Sequence, residues 1–301
     1  MRRMTMRMGL AALVLTLVPG MLQAQELLSA GDVVAMEMPA PDHVIAYGPD
    51  ALQFGHLRLP AGDGPHPVII FIHGGCWLSA YSIGHVGLLE QGFADAGYAV
   101  WSLEYRKVGD PGGGWPGTFE DIGAGADFLP VLATEYPLDL DRVLASGHSA
   151  GGQLALWAAA RSRIPATSEL SVENPQPIRG VLALAPAADL EGLHEAGVCG
   201  NVVDGLMGGS PAEVPGRYQA GSPMRLAPIG VPQTVFVGAQ DAAWRPSGLS
   251  YQRHAVTAGD DSIVLDEAPE SGHFEMILPT TSTWPQVLRA LEALANRLGF
   301  D

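Results

Sequence analysis

The chain has 301 residues, 47% of them hydrophobic and only 16% charged, a balance that excludes a disordered protein and suits one domain with a large core. Its formal net charge of −16 repels nucleic acid phosphates and anionic lipid, so neither is expected as a partner. No Cys/His cluster has metal-ligand spacing, so neither a metal nor another cofactor is expected. No pattern sets an oligomeric state.

Residues 1–24 have the layout of a secretory signal peptide. Arg2, Arg3 and Arg7 stand without an acid before an apolar run of about ten residues, Gly9 to Val18, closed by Pro19-Gly20 and Leu22-Gln23-Ala24. The run is short for a bilayer span, and no later stretch is long and apolar enough to make one, so no stable membrane association is expected after cleavage. The expectation is an exported, periplasmic or extracellular protein, with residues 25–301 as a single domain. Loss of the three arginines takes the net charge to −19. In an oxidising compartment Cys76 and Cys199 could pair, although two cysteines make no disulfide framework and sequence does not show that they meet.

From His43 onward the pattern is strand-rich, then alternates. His43 to Tyr47 and Leu52 to Leu59, around Gly48-Pro49-Asp50, predict an antiparallel hairpin. Val68 to Ile72 is a continuous apolar run, as in a strand buried on both faces. A helix is predicted over 84–96, a strand over 98–103 and a helix over 119–135. Strands at 180–184, 234–237 and 263–266 follow the segment around Ser149, with helices at 247–258 and 284–298. Alternation of this kind predicts an α/β fold with a mostly parallel central sheet and helices on both faces. Residues 189–230, rich in Gly and Pro, read as a short irregular excursion over the sheet's carboxyl edge. Within it, Ser210-Pro211-Ala212-Glu213 has the form of a capping box opening a helix.

The chemistry centres on Val143 to Trp157. An apolar run leads into Gly147-His148-Ser149-Ala150-Gly151, and a stretch of helical character follows: strand, sharp turn, helix around G-x-S-x-G. Ser149 is the candidate nucleophile, and the helix after it aims N–H groups at a developing anion. His148, inside the turn, is expected by alternation to point away from Ser149. The Val68–Ile72 strand runs into His73-Gly74-Gly75-Cys76-Trp77, where glycines leave backbone N–H groups free to face a ligand. His73 and Glu104-Tyr105-Arg106 read as structural braces. Of nine histidines only His273 follows the last strand, and it is the candidate base. Asp241, after the 234–237 strand, is the candidate acid; Asp189 is its rival. Ser149, Asp241, His273 keeps the Ser…Asp…His order.

This ordered set of motifs resembles the α/β-hydrolase superfamily, in its esterase/lipase branch with an HGG loop. By position the resemblance implies Ser149 as nucleophile, Asp241 as acid and His273 as base, with Gly75, Cys76 and Ala150 supplying oxyanion N–H groups. Cys76 stands where the branch often has a third glycine, and the His-Gly-Gly-x-Trp form also resembles kynurenine formamidase-like hydrolases. The expected activity is hydrolysis of short acyl or aryl carboxylic esters through an acyl-enzyme, on a small-molecule substrate. Arylformamidase action on N-formylkynurenine is the alternative, and a non-catalytic binding protein on the same fold is the alternative of another class. Trp77, Tyr81, Trp115, Cys199 and Trp244 are candidate pocket residues.

Overall fold

The run at Val68 to Ile72, apolar at every position, has both its faces buried, and its alternation divides the core in two. Val68, Ile70 and Ile72 pack into one cluster, Ile69 and Phe71 into a second on the other side of the sheet. The computed structural model describes residues 27–300; the expected signal segment lies outside them. The strands are β1 (His43–Ala46), β2 (Phe54–Arg58), β3 (His66–Ile72), β4 (Ala99–Leu103), β5 (Leu138–His148), β6 (Gly180–Leu184), β7 (Gln233–Gly238) and β8 (Ile263–Ala268). They form one sheet in the order β1-β2-β4-β3-β5-β6-β7-β8. The predicted hairpin is present, β1–β2 and β2–β4 pair antiparallel, and every pair from β4–β3 onward is parallel.

The helices are α1 (Ala30–Val34), α2 (Gly87–Asp95), α3 (Gly117–Asp127), α4 (Leu129–Leu132), α5 (Ala150–Ala159), α6 (Leu190–Ala196), α7 (Val202–Met207), α8 (Pro215–Gly221), α9 (Pro223–Leu226), α10 (Arg245–Thr257) and α11 (Trp284–Leu298). Phe119 of α3, Leu154 and Trp157 of α5 and Tyr251 of α10 enter the first cluster. Val33 of α1, Leu89 and Phe93 of α2, and Val287, Leu291 and Leu294 of α11 enter the second. The helices of α11's kind follow from sequence: its buried residues recur three and four apart, so one stripe faces the sheet.

Three local expectations are corrected. The single helix over 119–135 is two, because Pro130 has no N–H to give and its ring opposes the carbonyl four residues back; Phe128 caps α3 and opens α4. The helix over 84–96 begins as a 3-10 turn, Ile83–His85, before α2. At the supposed capping box, the Ser210 N–H and hydroxyl donate to Glu213 Oε2 at 3.0 and 2.8 Å, yet they close a turn rather than open a helix. Pro215 restricts Val214, whose ψ is 52°, so the helix starts afresh at α8. α1 was not expected at all.

Candidate active site

The carboxyl ends of the parallel strands collect every residue singled out for chemistry. Gly75 follows β3, Ser149 follows β5, Asp241 follows β7 and His273 follows β8, the edge where open α/β sheets place their sites.

Ser149 caps the start of α5 with φ 57° and ψ −119°, a conformation a non-glycine residue holds only when its surroundings enforce it. Its N–H donates to the Leu184 carbonyl at 2.9 Å, and its own carbonyl accepts from Ala187 N–H at 3.0 Å. The turn needs its glycines. A Cβ on Gly151 would lie 1.9 Å from the Ile72 oxygen, and one on Gly147 would lie 2.1 Å from the Gly151 oxygen. Gly74 lets the β3 loop approach: a Cβ there would stand 3.1 Å from Ser149 Cβ.

Asp241 is buried and divides its carboxylate between two donors. Oδ1 accepts the Trp244 N–H at 3.0 Å, and Oδ2 lies 2.6 Å from His273 Nδ1. A carboxylate only accepts, so the proton on the imidazole sits on Nδ1 and Nε2 is left as the basic nitrogen. The Trp244 ring stacks on His273 with centroids 5.4 Å apart. The loop bearing His273 crosses the end of β7 so closely that a Cβ on Gly238 would fall 2.2 Å from the Gly272 oxygen. Asp189, the rival acid, is not part of this group: it caps α6 through Gly192 N–H at 3.0 Å and accepts from Ser250 Oγ at 2.6 Å.

Ser149, His273, Gly75 and Cys76 line one cavity of about 180 Å³. Gly75 has φ 120°, Cys76 φ 52° and Trp77 φ 53°, three left-handed residues in succession that turn this loop toward Ser149. Among the described residues no hydrogen bond occupies the backbone N–H of Gly75, Cys76 or Ala150. Cys76 is disulfide-bonded to Cys199, in the irregular excursion, and Cys199 also faces the cavity. The loop is braced from beneath by a buried cluster. His73 Nε2 meets Glu104 Oε1 at 3.0 Å, Tyr105 Oη donates to the His73 carbonyl at 2.9 Å, and Lys107, the chain's single lysine, pairs with Glu104. Burial opposes a charge on Glu104, but His73 and Lys107 hold its carboxyl well below the usual carboxylate range. A larger open cleft, about 680 Å³, lies between the end of α5 and residues 173–178; its buried Arg161 is already paired with Asp127, so size does not mark the site.

The BD-FAE family profile matches residues 57–246, more than half of the chain. The chain belongs to the BD-FAE family. Ser149, Asp241 and the Gly75 loop fall inside the matched region, and His273 lies beyond it. Curated relatives include a probable isoprenylcysteine alpha-carbonyl methylesterase, ICMEL1 of Arabidopsis thaliana, 32% identical over 37% of this chain and 23% of that protein. Esterase LipI of Mycobacterium tuberculosis is 31% identical over 32% of this chain and 30% of its own length. The matches thus span less than a third of either relative. Esterase B from Lactobacillus rhamnosis superposes with a TM-score of 0.72 at 21% identity, covering 87% of this chain and 88% of that one. The α/β-hydrolase resemblance and the mostly parallel sheet hold.

Two pocket expectations do not. Trp77 of this BD-FAE chain is buried in the first core cluster, where its indole N–H donates to Gln153 Oε1 at 3.1 Å; a partner 76 residues away draws it inward. Trp115 packs on Phe119 and donates to Glu169 Oε1 at 2.5 Å, beside a different cleft. Tyr81 and Trp244 do line the cavity. His148 does not point away: it too faces the cavity, its ring against His273. His85, Phe274 and α1 complete the walls, and none of these was expected there. Among the described residues, no group of three or more His, Cys, Asp or Glu is placed to hold a metal ion, and no helix is long and apolar enough to cross a membrane.

Proposed function

We propose that this chain is a serine hydrolase of small carboxylic esters, working through an acyl-enzyme. The observation that carries the reading is the 2.6 Å Asp241–His273 contact, which leaves His273 Nε2 basic at the wall of the same cavity that holds Ser149. His273 Nε2 takes the Ser149 hydroxyl proton as Oγ attacks the ester carbonyl, and Asp241 stabilises the imidazolium. The oxyanion is met by the free N–H groups of Gly75, Cys76 and Ala150, the last at the positive end of α5. On collapse His273 gives its proton to the departing alkoxide. Water, deprotonated by the same nitrogen, then releases the acid and restores Ser149.

The relatives named as esterases support the reaction class. The volume supports the size: a cavity of about 180 Å³ is below the roughly 300–1,000 Å³ usual for drug-sized ligands and suits a compact acyl group. Export, with residues 1–24 removed and 25–301 as one domain, belongs to the same reading, and a Cys76–Cys199 disulfide suits an oxidising compartment.

The test is turnover of phenyl acetate beside N-formylkynurenine, with Ser149→Ala as blank. Hydrolysis of the ester that disappears in the variant supports the reading. Preference for the formamide, or ester turnover that persists in Ser149→Ala, contradicts it.

A further inference from the structure

We propose that the segment Leu28–Val34 is the wall that limits the acyl group, with Val34 as its specificity-determining residue; the proposal rests on the ester-hydrolase reading. α1 is only five residues long and lies more than a hundred residues from Ser149 in sequence, yet Ala30, Val33 and Val34 all line the cavity. Such a short helix does not hold itself in place, and three contacts hold this one. Ser29 and Asp32 form a reciprocal capping box at its start. Val33 is 1% exposed and inserted into the second core cluster. The Leu28 N–H donates to Glu275 Oε1 at 2.6 Å.

The last contact is the informative one. Glu275 is buried, and its other oxygen has no partner among the described residues, so its bond to Leu28 is not easily given up. Glu275 opens the 3-10 turn two residues after His273. Leu27 lies against the same loop: a Cβ added to Gly272 would come within 3.3 Å of its side chain. The wall is therefore referenced to the segment that carries the base, so its distance from the reacting carbon is fixed by the same turn. Val34 lines the cavity and is 59% exposed. It stands at the rim, where a longer chain would have to pass. With apolar Val33 and Phe274 lining the same cavity, the space selects a short acyl chain over a longer one.

The test compares kcat/KM for p-nitrophenyl acetate, butyrate, hexanoate and octanoate in the wild type, Val34→Ala and Val34→Trp, with melting temperatures recorded. Val34→Ala should raise the hexanoate-to-acetate ratio about tenfold, and Val34→Trp should lower the butyrate-to-acetate ratio by about as much. Equal chain-length profiles in three folded, active proteins would overturn the proposal while leaving the ester reading intact. No ester turnover and no fluorophosphonate labelling in the wild type would overturn both.

Discussion

His148 Nε2 lies 2.9 Å from the backbone carbonyl oxygen of His273, and the two rings pack with centroids 4.5 Å apart. Burial, and then the neighbouring His273, push the His148 imidazole well below its ordinary pKa, so it is neutral and donates its Nε2–H to that carbonyl. His148 thereby fixes the loop that presents His273. His148→Phe removes the donor and keeps the ring; steady-state kinetics should show kcat reduced about tenfold, equivalent to one good hydrogen bond, with KM little changed.

The same burial gives stability a pH dependence of definite sign. His148 stays neutral in the folded protein, and burial together with His73 pushes His85 down to about 4. The unfolded chain protonates both near 6.5, so it binds more protons below that pH and is favoured. Stability is present above about 6.5 and is lost as pH falls toward 4, where protonation of Glu104 in the unfolded chain adds to the loss. Melting temperature measured from pH 8 to 4 should fall through this window, and less steeply in His85→Gln.

The Asp241–His273 contact fixes which imidazole nitrogen is basic. Asp241→Asn would offer an amide donor to Nδ1 and favour the opposite tautomer, so kcat for phenyl acetate should drop about 10⁴-fold while the fold survives. Circular dichroism and kinetics on one preparation check both halves of that statement.

The Cys76–Cys199 bond closes a loop across 123 residues and ties the Gly75–Trp77 turn to the excursion. Replacing both cysteines with alanine should cost about 2–4 kcal/mol of stability in denaturant unfolding. It should also lower kcat more than it raises KM if Cys76 N–H is the proposed oxyanion donor, because the bond anchors a residue held at φ 52°.

Much of this architecture was legible because it depends on neighbours in sequence. β3 announces itself as an unbroken apolar run because both its faces are covered. The turn at Ser149 announces itself through Gly147 and Gly151, whose Cβ atoms would strike backbone oxygens. Chain order singles out His273, and the structure places it against Asp241. What stayed hidden depends on partners far away. Trp77 looks like a pocket aromatic until Gln153 takes its indole N–H. His148 obeys strand alternation only while the strand lasts, and β5 ends at His148 itself. α1 has too few residues to show a period, and its anchor, Glu275, is 247 residues from Leu28. Pro130 marks the split of α3 from α4, although the apolar pattern runs on across it.

The central claim is that Ser149 is the nucleophile activated by His273, and covalent capture tests it most directly. The full chain is treated with a fluorophosphonate, digested, and mapped by mass spectrometry, with Ser149→Ala and His273→Ala in parallel. One phosphonyl adduct on Ser149, absent in Ser149→Ala and strongly slowed in His273→Ala, is the predicted result. Ester turnover by a protein whose Ser149 remains unlabelled, or labelling that is indifferent to His273, would contradict the account.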